Sequence, residues 1–370
     1  MSIILLKYPT EDGGGDGMAF GTLANGQTRR GLLGTGLAGL ASIVATACGG
    51  AADTTAKPAG TPAGAAAPTK APAGAEPTKA SSAAVEPTKA SAAASAPAGK
   101  GFANPNLVVS VEWLTQHAAD PGVVVVDARP SADYEKGHLP GAVNLPVTET
   151  FAPAQQKNLP DTTAKLEALF GSKGIGNANR VIVYDNGKET PAARLFWTLE
   201  YAGHANVSVL DGGLKAWQAA SGKVDTAAVT PKSATFASKL DPAKLPTKQQ
   251  CTLAIGDPTK VVLDARTPAE YRGEDVRAKF GGHVPGAINV EWVENFGSAT
   301  LLKEPEALKT LYASKGITPD KEVIALCQTG QRSSVAYLAL RLLGYPKVGN
   351  YAGSWIEWGN DEATQKAQGA

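Results

Sequence analysis

Val261-Val262-Leu263-Asp264-Ala265-Arg266 decides the fold, because the chain carries it twice: Val123-Val124-Val125-Val126-Asp127-Ala128-Arg129 is an earlier copy. Moving outward, Gly137-His138-Leu139-Pro140-Gly141-Ala142-Val143-Asn144 matches Gly282-His283-Val284-Pro285-Gly286-Ala287-Ile288-Asn289, and Ser172-Lys173-Gly174-Ile175 matches Ser314-Lys315-Gly316-Ile317. An apolar run follows each, Val181-Ile182-Val183-Tyr184 and Val323-Ile324-Ala325-Leu326. Asp211-Gly212-Gly213 with Trp217 then parallels Ala352-Gly353-Ser354 with Trp358. Segments recurring in one order are an internal repeat of a whole structural unit. Within each unit, short apolar runs bounded by Gly and Asp alternate with longer amphipathic stretches, as strands alternate with helices. That predicts an α/β fold of two tandem domains, each a mostly parallel sheet with helices on both faces. Functional loops are then expected at the carboxyl ends of the strands.

One such loop carries chemistry. The run Glu322 to Leu326 leads into Cys327-Gln328-Thr329-Gly330-Gln331-Arg332-Ser333-Ser334. Val335, Leu338, Ala339, Leu342 and Leu343 follow at helical spacing, and Gly344 ends the helix. Cys327 is therefore expected on a strand-to-helix turn, facing a helix N-terminus. Gly330 lets the backbone curl, and the curl points successive N–H groups inward as an anion nest. The helix N-terminus and Arg332 add positive charge. Each feature favours thiolate over thiol. A thiolate there can attack a sulfur atom and hold the product as a persulfide, a covalent intermediate. A lone cysteine after an apolar strand is more often inert core. The loop reverses that reading for Cys327, whereas Cys251 has no glycine loop and reads as core.

Asp264-x-Arg266, Glu270-Tyr271, the Gly-His-Val-Pro-Gly-Ala-Ile-Asn turn, the Cys-x-x-Gly-x-Arg loop and Tyr351-Ala352-Gly353-Ser354-Trp355 resemble the tandem rhodanese family, over about residues 104–360. The resemblance implies a sulfurtransferase with Cys327 as nucleophile. Gln328, Thr329, Gly330, Gln331 and Arg332 would bind substrate, and no metal or organic cofactor is implied. Sulfane sulfur would pass from thiosulfate, or alternatively 3-mercaptopyruvate, to Cys327 and on to cyanide or a thiol. The partners are thus a small-molecule donor and acceptor. The first half has Asp185 where the second has Cys327. A carboxylate does not store sulfane sulfur, so that half is expected to be catalytically silent and to wall one side of an interdomain cleft. Asp264 and Arg266 recur as Asp127 and Arg129 in the silent half, so they are expected to form a structural ion pair with a supporting electrostatic role. His138 and His283 occupy matching turns and read as turn braces, not bases. A doubly charged thiosulfate gains more from Arg332 and the nest than a monoanion does. Glu270 is a departure, standing where the family's thiosulfate enzymes often have arginine.

Three other functions compete with this one. Cysteine phosphatases of related fold place arginine six residues after the cysteine, but Arg332 comes one residue sooner and Ser333 holds the sixth position. A non-turnover persulfide carrier or redox sensor would use the same cysteine, and turnover separates it. A binding protein with rhodanese halves as scaffold does not need an intact cysteine loop.

The 370 residues carry a formal charge of +1 and three cysteines, which gives no argument for nucleic acid, a disulfide framework or a zinc site. Residues 1–48 read as a signal segment: Thr28-Arg29-Arg30 resembles a twin-arginine opening, and Ala45-Thr46-Ala47-Cys48 resembles a lipobox, with Ala45 in place of the usual leucine. Lipidation at Cys48 would make this an exported lipoprotein attached to the cell membrane. A plain transmembrane anchor is the alternative, and Met18 is an alternative start to Met1. Residues 49–103 are Ala, Pro, Thr and Lys with near-repeats (Ala75 to Ala80, Val85 to Ala90), too polar to bury a core and expected to be a disordered tether. The remaining divisions are 104–222 (silent domain), 223–245 (connection) and 246–362 (catalytic domain).

Overall fold

The computed structural model describes residues 101–153, 158–297 and 301–369. The proposed signal segment, Cys48 and nearly all of the tether lie outside them. The first half runs β1 (Val108–Val109), α1 (Val111–His117), β2 (Val123–Asp127), α2 (Ser131–Lys136), β3 (Val143–Asn144), α3 (Thr163–Ser172), β4 (Arg180–Tyr184), α4 (Pro191–Tyr201), β5 (Val207–Leu210) and α5 (Gly213–Ala219). The second runs α6 (Lys248–Leu253), β6 (Lys260–Asp264), α7 (Pro268–Arg272), β7 (Ile288–Asn289), α8 (Pro305–Ala313), β8 (Glu322–Leu326), α9 (Arg332–Leu342), β9 (Val348–Asn350) and α10 (Ser354–Trp358). From α1 and α6 onward the two series match element for element, apart from the extra strand β1.

Among the described residues every ladder is parallel, in the orders β1-β5-β4-β2-β3 and β7-β6-β8-β9. Alternation along the strands explains the layers. Val323 and Ala325 of β8 face one apolar cluster, and Ile324 and Leu326 face another beside Trp355 and Trp358. In β4, Val181 and Val183 likewise oppose Ile182 and Tyr184, which pack with Trp113, Leu214 and Trp217. Both sheets are thus covered on both faces, as the continuous apolar runs predict. Strands β1, β3 and β7 are two residues each, too short for the sequence to show a period.

Local signals set the helix starts. Thr247 and Gln250 form a reciprocal capping box at α6, and Thr267 and Glu270 form one at α7. Between the halves, α4 lies against α9. Leu195, Phe196 and Leu199 share one core with Val335, Tyr337, Leu338 and Leu342, each contributing about 1.5–3 kcal/mol by burial. Glu200 fixes the alignment, accepting from Tyr337 Oη at 2.7 Å and Arg341 Nη2 at 3.0 Å. The connection after α5 lies along the first half: Ala234 N–H donates to Gly171 O and Lys239 N–H to Ala202 O, while Phe236 packs edge-on against Phe170.

Candidate active site

β8 is an interior strand, flanked by β6 and β9, and its carboxyl end delivers Cys327 at full burial. The chain turns through residues 328–331 and enters α9 at Arg332. Gly330 makes the turn possible. Its φ is +75°, and a Cβ there would lie 2.6 Å from Arg194 Nη1 and 2.7 Å from Ala352 Cα. The segment after β9 clamps the loop from behind: Trp355 N–H donates to Cys327 O at 2.9 Å and Ile356 N–H to Gln328 O at 3.0 Å. Cys327 N–H donates to Ser354 Oγ at 3.2 Å.

Sγ sits inside this curl. Ser333 Oγ is 3.5 Å away, and the backbone N–H groups of Ser333 and Thr329 point at the sulfur. Burial pushes the thiol up. The Arg332 charge, the Ser333 hydroxyl and those two N–H groups outweigh it, and the thiol ends below its ordinary value. Two of the loop's N–H groups, those of Thr329 and Ser333, thus favour the Cys327 thiolate.

Arg332 is not a free cation. Its guanidinium grips the fully buried Glu270 carboxylate with Nη1 at 2.6 Å and Nη2 at 2.8 Å. Burial raises the Glu270 carboxyl, but Arg332 and the Thr267 N–H and hydroxyl hold it down at about 2. Arg277 Nη1 lies 3.7 Å from the same carboxylate. Glu270, noted in the sequence as a departure, is thus the residue that aims Arg332 and offsets its charge.

Asp264 and Arg266 form a buried pair at 2.5 Å; Arg266 also donates to Gly282 O at 2.7 Å and stacks over Trp355. Asp127 and Arg129 repeat this at 2.6 Å, with Gly137 O as the other acceptor. The two histidines stack on tyrosines, His138 on Tyr134 at 3.6 Å and His283 on Tyr271 at 3.7 Å, with each Nδ1 against that tyrosine's carbonyl. Gln328 Nε2 donates to Arg277 O at 2.9 Å, and Thr329 and Gln331 are half-buried along the turn. In the first half Asp185 fills the matching place, accepting from Gly187 N–H at 2.7 Å and Ala192 N–H at 3.1 Å. Burial raises its carboxyl to about 6. Cys251 is fully buried, and burial pushes its thiol up to about 12, so it is inert.

Three contacts were missed from sequence. Arg194 of α4 crosses from the silent half: Nη1 donates to Gly330 O at 2.8 Å, Nη2 donates to Asn158 O, and burial lowers it to about 9 against the pull of Cys327. Its signal was one arginine in the apolar run Ala192 to Leu199. Asn350 has no signal, since it is not unusual after a strand, whereas Ser354 stands in the Tyr351-to-Trp355 motif, which does not say that its hydroxyl receives the Cys327 N–H.

A doubly layered parallel α/β unit, duplicated, with a lowered thiol in an N–H nest on one copy only, defines a class: a two-domain protein that does chemistry at a single cysteine. The family model for the rhodanese-like domain matches residues 110–220 and 247–361. The chain is 38% identical over 265 residues to a thiosulfate sulfurtransferase of Pseudomonas aeruginosa, covering 71% of this chain and 97% of that one. It is 31% identical to the sulfur carrier protein TtuD of Thermus thermophilus, covering 70% and 96%. Among solved structures, the 3-mercaptopyruvate sulfotransferase SseA of Escherichia coli aligns with a TM-score of 0.62 at 29% identity, covering 67% and 98%. The chain belongs to the tandem-domain rhodanese family and is a sulfurtransferase.

Proposed function

We propose that this chain takes sulfane sulfur from thiosulfate and passes it to a thiophilic acceptor through a persulfide on Cys327. The thiolate attacks the sulfane sulfur; a Cys327 S–S bond forms, the donor S–S bond breaks, and its electron pair leaves with sulfite. Cyanide or a thiolate then attacks the terminal sulfur, and the electron pair of the S–S bond returns to Cys327 as thiolate. The supporting observation is the lowered Cys327 thiol, ringed by the Thr329 and Ser333 N–H groups and Arg332. Gln328, Thr329, Gly330, Gln331 and Arg332 then line the path of the donor. Peptide mass measurement under non-reducing conditions, after mixing with thiosulfate, tests this. A gain of one sulfur atom on the Cys327 peptide, reversed by cyanide, supports it; an unmodified Cys327 peptide sinks it.

One observation favours 3-mercaptopyruvate as the donor instead. The Glu270 carboxylate is paired with Arg332, so a dianion gains less here than the sequence suggests. Single-turnover rates with the two donors decide between them. For the N-terminus we propose lipidation at Cys48, supported by the twin arginines and the lipobox-like segment. Release of the Cys48→Ala chain from the membrane fraction of producing cells supports this, and unchanged retention contradicts it.

A further inference from the structure

Ser333 has one hydroxyl proton and two acceptors. Its Oγ lies 2.6 Å from Asn350 Oδ1 and 3.5 Å from Cys327 Sγ. A hydroxyl donates to one acceptor at a time. Asn350 does not turn its amide round to suit, because Nδ2 is committed to Gly330 O at 2.9 Å. Arg194 Nη1 occupies that carbonyl as well, at 2.8 Å, so both acceptor positions of Gly330 O are filled. Asn350 therefore presents a fixed acceptor to Ser333. All three side chains, Cys327, Ser333 and Asn350, are fully buried.

We propose that Ser333 and Asn350 form a two-position relay, in which the Ser333 hydroxyl rests on Asn350 Oδ1 while Cys327 is an uncharged thiol or persulfide-bearing sulfur and swings to Sγ when Cys327 is a thiolate. This rests on Cys327 as the nucleophile and deepens that reading. In the thiolate, negative charge on Sγ outbids a neutral amide oxygen for the proton. Once the sulfane sulfur is taken, the charge moves to the terminal sulfur, and the hydroxyl returns to Asn350. The relay thus stabilises the thiolate before attack but not the bridging sulfur afterwards. Ser333 and Asn350 are positioning residues here. The other charged groups around the sulfur are Arg332 from α9 and Arg194 from α4, with Glu270 of α7 and Asp264 at the end of β6 acting on Arg332.

The pH dependence of alkylation at Cys327 by iodoacetamide, read by mass on its peptide in the full chain, tests this without any sulfur transfer. Ser333→Ala is expected to move the midpoint up by about one pH unit, a tenfold loss of thiolate below it, while Ser333→Thr restores the wild-type midpoint. Asn350→Ala is expected to move the midpoint down with Ser333 present and to have no effect in the Ser333→Ala background. An unmoved midpoint in Ser333→Ala overturns the relay. Equal shifts from Asn350→Ala in both backgrounds also overturn it, because Asn350 would then act through the Gly330 loop. Should Asn350→Ala not fold, the Ser333→Ala and Ser333→Thr pair still decides whether the hydroxyl reaches the sulfur. Failure of the persulfide reading is seen separately, as sulfur transfer by a chain lacking Cys327.

Discussion

Replacing Arg332 by methionine removes the partner of a fully buried carboxylate, and the cost can be worked from Glu270. Its folded value of about 2 against an ordinary 4.5 corresponds to about 3 kcal/mol at neutral pH. The Thr267 N–H and hydroxyl bonds, at 3.1 and 3.0 Å, survive the change, leaving about 2 kcal/mol for Arg332, below the ~3–5 kcal/mol usual for breaking a buried pair. The sign follows from linkage: a depressed carboxyl stabilises the fold above its unfolded value and loses that contribution as pH falls from about 4.5 through about 2. Urea unfolding at pH 7 should show Arg332→Met less stable by about 2 kcal/mol, and adding Glu270→Gln should recover most of the loss. Loss of the Arg332 charge should also raise the Cys327 thiol, visible in the pH profile of alkylation. A loss below ~0.5 kcal/mol, no greater than for a surface substitution, would refute the account of Glu270 as a buried anchor.

Two further outcomes follow from the backbone and the silent half. Gly330→Ala, which meets a positive φ and two contacts under 3 Å, should cost at least ~1 kcal/mol in thermal unfolding and abolish persulfide formation. Asp185, raised to about 6, makes the fold less stable as pH rises from about 4 to about 6, by up to about 3 kcal/mol; Asp185→Asn should flatten that slope in unfolding curves, and an unchanged slope would move the titration elsewhere.

The repeat made most of the fold legible. Val123 to Arg129 and Val261 to Arg266 mark β2 and β6, and the loop from Cys327 to Gln331 lies between β8 and α9 as the run of Leu and Val after it implies. What stayed hidden depends on tertiary approach. Nothing local in Glu270 says that its carboxylate lies under Arg332, 62 residues on. Nor does Arg194 announce that it crosses to Gly330, 136 residues away. Both are charges that make sense only once the packing partner is known. Asn350 is hidden for another reason, since its work is to orient Ser333 and not to touch the sulfur.

One cysteine, in the second half, is expected to carry the sulfur. Thiocyanate formation from thiosulfate and cyanide, measured for the full chain beside Cys327→Ser and Cys251→Ser, tests it most directly. Turnover is expected from the wild type and from Cys251→Ser, and none from Cys327→Ser. Equal turnover by the wild type and Cys327→Ser would contradict it.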